Sequence, residues 1–153
     1  TDVARDWLDA GERGHAGALR ERARRAREAL AALPLAPGDG SLAAALAAAA
    51  TLYDAGLYFE VHELLEPWWL QARGEAQEAL QGLVQVAVGY QHLANGNTSG
   101  ARALLEDGSA RLHGRALDGL ALDAFAGEVA RSIDRLDDFD WTLVPRFPRR
   151  GKD

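Results

Sequence analysis

The run Tyr58-Phe59-Glu60-Val61-His62-Glu63-Leu64-Leu65-Glu66-Pro67-Trp68-Trp69 places a histidine, three glutamates and two tryptophans in twelve positions. A histidine and a glutamate four residues apart share one face of a helix, so His62 and Glu66 can both reach one divalent ion. An imidazole nitrogen and a carboxylate oxygen suit zinc and its transition-metal neighbours. A third ligand would come from a facing helix, with His92 as the candidate, and Glu63 would act as general base on a metal-bound water in a hydrolysis. The segment falls one residue short of the His-Glu-x-x-His of zinc peptidases, because Glu66 stands where that motif has its second histidine.

The surrounding pattern shows what must position these groups. At about 100° per residue, His62, Glu63, Glu66 and Leu70 lie with Phe59 in an arc of about 100°. Val61, Leu64, Leu65, Trp68 and Ala72 occupy the opposite face. The next segment, Ala79 to Ala94, is apolar around most of its circumference, which predicts a central helix. Its polar strip is narrow: Gln81, Gln85 and His92 fall within about 40° of one another. A short turn around Gly74 makes the two helices antiparallel neighbours. The strips therefore face each other, and a cluster of two histidines, two glutamates and two glutamines is expected between them. Three readings fit such a cluster: a hydrogen-bond network that fixes packing, a metal site, or a metal-free pocket for binding or acid–base work. Pro67 removes the bond to the Glu63 carbonyl and is expected to kink its helix, wrapping Trp68 and Trp69 around the bundle.

Glycine and proline punctuation predicts helices at 14–33, 41–54, 57–73, 75–94, 98–117 and 122–137, with a further turn near 2–10. Strand signals are nearly absent. The expected fold is an all-α bundle of about six antiparallel helices with 75–94 at its centre, in one domain spanning 1–153. Residues 1–40 form an arginine-rich helical extension, 41–140 the core, and 141–153 an extended tail. Residues 52–66 and 92–106 echo each other at an offset of forty, through Gly56/Gly96, Leu64/Leu104, Leu65/Leu105 and Glu66/Glu106. Two stacked helical hairpins, somewhat like tetratricopeptide units, would account for the echo. Helix 14–33, with Arg20, Arg24 and Arg27 in line, reads as a solvated outer helix.

In combination, Phe59-Glu60, His62-Glu63, Glu66, Trp69, Gln81, Gln85, His92, Gly96-Asn97 and Gly100-Ala101 resemble the small bacterial and archaeal proteins grouped as domain of unknown function 309. The resemblance spans roughly residues 50 to 137. It implies an all-α bundle of helical hairpins whose function is unknown. It also implies the label of a metal-dependent hydrolase, with His62, Glu66 and His92 as ligands and Glu63 as catalytic base. Glu60, Trp69 and Asn97 join Gln81 and Gln85 as binding candidates on the same ground. Pro67 departs from the family's usual helix-compatible residue, and residues 1–35 lie outside the resemblance.

Bulk composition narrows the classes. A net charge of −6 argues against a nucleic-acid or anionic-membrane partner. No apolar run reaches the roughly 20 residues that span a bilayer. The absence of cysteine excludes disulfides and thiolate metal sites. No signal peptide is visible at Thr1 to Arg5, so a cytoplasmic protein is expected. The expected partners are a small molecule or a protein, including a second copy through Trp7 and Trp141; a divalent metal is the one cofactor the residues suggest.

Overall fold

The computed structural model describes residues 35–149, together with Glu21, Arg24 and Glu28. The described residues are mostly helical. Five helices follow one another: α1 Leu42–Asp54, α2 Tyr58–Gln71, α3 Gly74–Ala94, α4 Thr98–Leu112 and α5 Asp123–Ser132. The predicted helix 14–33 and the turn near 2–10 lie outside the described residues, apart from three positions. There Arg24 pairs with Glu21 at 2.5 Å and Glu28 at 3.0 Å, one turn to either side.

The sequence echo has a physical basis in the turns. After α1, Leu57 N–H donates to the Leu52 carbonyl and Gly56 N–H to that of Tyr53; after α3, Asn97 donates to His92 and Gly96 to Leu93. Gly56 and Gly96 sit at φ +80 and +85. This is the same left-handed helix stop built twice, and it needs a residue without a Cβ at that position.

The predicted all-α fold needs one correction. Helix 98–117 ends at Leu112, and a two-stranded antiparallel sheet follows, β1 Ala116–Leu117 with β2 Leu120–Ala121. Asp118 and Gly119 both have positive φ, 52° and 77°, the conformation of a tight hairpin turn. The hairpin places Leu117 and Leu120 in the core. The predicted helix 122–137 is likewise split: α5 stops at Ser132 and a 3-10 segment runs from Ile133 to Asp138, with Arg135 off helical geometry.

α3 is the hub, packed on α2 and, most extensively, on α4. Small residues allow the second approach. A Cβ on Gly82 would lie 2.7 Å from Leu112 Cδ2, and one on Gly108 would lie 3.1 Å from the Gly82 carbonyl oxygen. Tyr53, Tyr58, Tyr90, Phe125 and Phe147 interlock at one end of the core with ring centroids 5.2–6.3 Å apart. The Tyr90 hydroxyl is 2.8 Å from Ser132 Oγ, which already donates to the Val129 carbonyl, so Tyr90 is the donor of the pair. Phe147 carries the C-terminal segment into this cluster, and Arg146 and Arg149 pair with Asp54 beside it. α2 continues through Pro67 to Gln71, and Trp68 Nε1 donates to the Leu35 carbonyl at 2.7 Å.

Candidate functional site

The facing polar strips line a cavity of about 210 Å³ between α2, α3 and the middle of α4. His62, Glu66 and Trp69 line it from α2, one turn apart along a single face. Gln81, Val84, Gln85 and Val88 line it from α3, and Leu104 from α4. Antiparallel packing across the Arg73 turn sets this register, since residues at equal distance from the turn lie side by side.

His62 is nine-tenths buried, at 8% exposure. Burial pushes its pKa below the usual value of 6.5, with Glu66 and Glu63 opposing the shift. The imidazole is therefore neutral at neutral pH, the form that can ligate a metal. Its Nδ1 lies 3.5 Å from Glu63 Oε2, close enough for electrostatic pairing but without hydrogen-bond geometry. His62, Glu63 and Glu66 each place one donor atom within 4.8 Å of the others. The His62 imidazole and the Glu66 carboxylate are donors that a divalent transition-metal ion accepts, with the Glu63 carboxylate beside them, so the residues present fit a metal.

Four buried side-chain polar atoms have no hydrogen-bond partner among the described residues, and three belong to residues that line this cavity: His62 Nδ1, Trp69 Nε1 and Gln85 Oε1. The fourth is Tyr53 Oη. An orphaned buried group costs about 1–3 kcal/mol.

The remaining candidates stand elsewhere. His92 is absent from the group whose donor atoms converge. Its Nδ1 lies 3.0 Å from Asn97 Nδ2, and Asn97 Oδ1 caps α4 by accepting from Gly100 N–H at 2.9 Å. His92 thus serves the α3–α4 turn, while Glu63 lies beside His62 and Glu66. Glu60, in the first turn of α2, is not among the lining residues. Glu63 is not among them either, and its side chain is 40% exposed.

Sequence reasoning missed the residues behind Gln85. Gln85 Nε2 donates to Asp107 Oδ2 at 2.5 Å; Arg111 Nε holds the same oxygen at 3.2 Å and Arg111 NH1 reaches Glu78 at 2.6 Å. Donation from Gln85, then from Arg111, keeps the Asp107 carboxyl below the usual carboxylate range. Only the Asp107/Arg111 spacing of four was legible in the sequence; the link from α4 to Gln85 crosses between helices.

The two histidines make stability depend on pH. Burial lowers the pKa of His62 and, by the same cause, of His92. A depressed histidine pKa means that the unfolded chain binds more protons once pH falls below about 6.5, so stability is full above that value and declines beneath it. Urea midpoints measured from pH 7.5 to pH 5 are expected to fall, with a shallower fall in His62→Gln.

Among the described residues no helix is long and apolar enough to cross a membrane. No curated protein and no solved structure matches the chain. Residues 46–104, from the middle of α1 into α4 and including every residue that lines the cavity, match the family model described as Domain of unknown function (DUF309), which supports the resemblance read from these same residues.

Proposed function

We propose that the cleft between α2 and α3 is a divalent-cation-dependent binding site, in which His62 and Glu66 hold the ion and Glu63 orients His62. The observation that carries this reading is the buried, neutral His62 ring, which offers a donor atom within 4.8 Å of donor atoms of two carboxylates, Glu63 and Glu66. With Nδ1 turned to Glu63, Nε2 is the ring nitrogen left for a ligand. A carboxylate behind a ligating imidazole fixes its tautomer and raises its basicity. Glu63 is therefore assigned to orientation rather than to general-base work. Glu66 presents its carboxylate one turn along the same face, and Val84, Val88 and Leu104 limit water on the far side. A divalent ion bound here would acidify a coordinated water and polarise a carbonyl, the chemistry of a hydrolase.

Protein purified without an affinity tag is expected to take up stoichiometric Zn2+ or Mn2+, read by calorimetry and by metal analysis after gel filtration. A wild-type chain that takes up neither ion on titration would overturn the proposal.

A further inference from the structure

The cavity beside His62 is bounded by apolar side chains from three helices: Trp69 of α2, Val84 and Val88 of α3, and Leu104 of α4. The two valines interrupt the strip that Gln81 and Gln85 mark on α3. Gln85 also commits its NH2 to Asp107, which is not among the lining residues. The volume of about 210 Å³ exceeds the roughly 150 Å³ of an apolar protein cavity that accepts benzene. Apolar walls around open space lack partner atoms, and an apolar body that fills the space restores those contacts. His62 and Glu66, the two residues proposed to hold the ion, line the same cavity, and their donor atoms lie within 4.8 Å of each other. An ion between them would therefore sit at the wall of the space that Val84, Val88 and Leu104 bound.

We infer that the ligand of this cleft is a small acyl compound with an apolar body of about the size of benzene, its carbonyl oxygen on the ion and its body against Val84, Val88 and Leu104. The inference rests on the cation reading and names the class of ligand for that same site. An oxygen head matches, because a carbonyl is what a divalent ion polarises. An anionic head would meet the Glu66 carboxylate wherever no cation lies between them, so occupancy depends on the ion. The aliphatic side chains set specificity by size, since even one methylene in an apolar pocket changes affinity by roughly 10-fold or more. A polar body of equal size would give up its hydrogen bonds to water against valine and leucine, which offer none in return.

The test uses the full chain and two probes that share an ion-binding acyl head and differ in the body: benzohydroxamate and acetohydroxamate. Each is titrated by calorimetry, once with the chain loaded with Zn2+ and once after chelator treatment. With Zn2+ bound, benzohydroxamate is expected to bind at least about tenfold more tightly than acetohydroxamate. Both are expected to weaken at least about tenfold in the chelated protein. Leu104→Phe and, separately, Val84→Phe place extra bulk in the cavity. Each should cut the preference for benzohydroxamate by about threefold or more while the circular dichroism spectrum stays that of the wild type. The inference is overturned if the Zn2+-loaded wild type prefers benzohydroxamate less than about tenfold, or if both folded variants keep the preference in full. Uptake of Zn2+ with no such preference would sink this inference alone. A chain that takes up no Zn2+ fails at the earlier step, and overturns the cation reading together with the placement of the ligand's head.

Discussion

His62→Gln is expected to weaken divalent-cation binding by about 100-fold while leaving the melting temperature of the metal-free chain within a few degrees of the wild type. The size follows from the energy of a metal site. Apparent binding of structural zinc is worth about 10–16 kcal/mol over four ligands, so one ligand carries roughly 3 kcal/mol, or about two decades in affinity. Glu63→Gln should cost less, on the order of 10-fold, because it removes the group that orients the imidazole and leaves the ligand in place. The melting temperature discriminates against a purely structural role. A histidine that tied a buried network together would cost about 1–3 kcal/mol when replaced. At 3.5 Å the approach of His62 Nδ1 to Glu63 Oε2 is long and loses little on replacement, and glutamine fills much of the ring's volume. Calorimetric titration and thermal unfolding of the three proteins measure both quantities. A large drop in melting temperature with unchanged cation affinity would return His62 to a structural role.

Gly82→Val is expected to be the most destabilising single substitution at the α3–α4 seam, by about 3 kcal/mol or more. A Cβ at Gly82 already meets Leu112 Cδ2 at 2.7 Å and Cγ at 2.8 Å, with the Gly108 carbonyl oxygen at 3.1 Å. The leucine end can swing aside, but the carbonyl belongs to a helix and cannot. Valine adds two further methyl groups to that collision, and the two helices must part to accept them. For a chain of this length each kcal/mol moves the midpoint by about 2–4 °C, so a fall on the order of 10 °C is expected. Gly127→Ala supplies the internal control. It lies in α5, and its added Cβ would meet nothing nearer than the Arg131 guanidinium at 3.6 Å. Alanine is the better helix former, and a gain of about 0.5–1 kcal/mol is expected there. Equal effects of the two substitutions would show that the seam is not closely packed.

Much of the fold was legible because its signals are local. The helix bounds at α1, α2 and α3 follow from apolar periodicity and glycine stops, and the repeated Gly56 and Gly96 turns announce themselves as a sequence echo. The hairpin at 116–121 was not legible. Two residues per strand are too few to show alternation, and Asp118-Gly119 read only as a break between helices. The α5 boundary was lost for a similar reason, since Ile133 and Leu136 keep a helical spacing through the 3-10 segment and remain buried.

The candidate site divides along the same line. By itself the sequence determined which residues share a face: His62 with Glu66, and Gln81 with Gln85, because helical angle depends only on position within one chain segment. It also gave His92 the correct angle on α3. What it lacked was distance along the axis: seven residues beyond Gln85 is about 10 Å at 1.5 Å per residue. That displacement puts His92 at the Asn97 cap rather than in the cleft. Only the tertiary structure decided that Leu104 joins the lining of the cavity and that Asp107 accepts from the Gln85 amide. Those relations join separate helices, whose mutual register is set by how closely Gly82 and Gly108 let α3 and α4 approach. Periodicity within a helix carries no record of that approach.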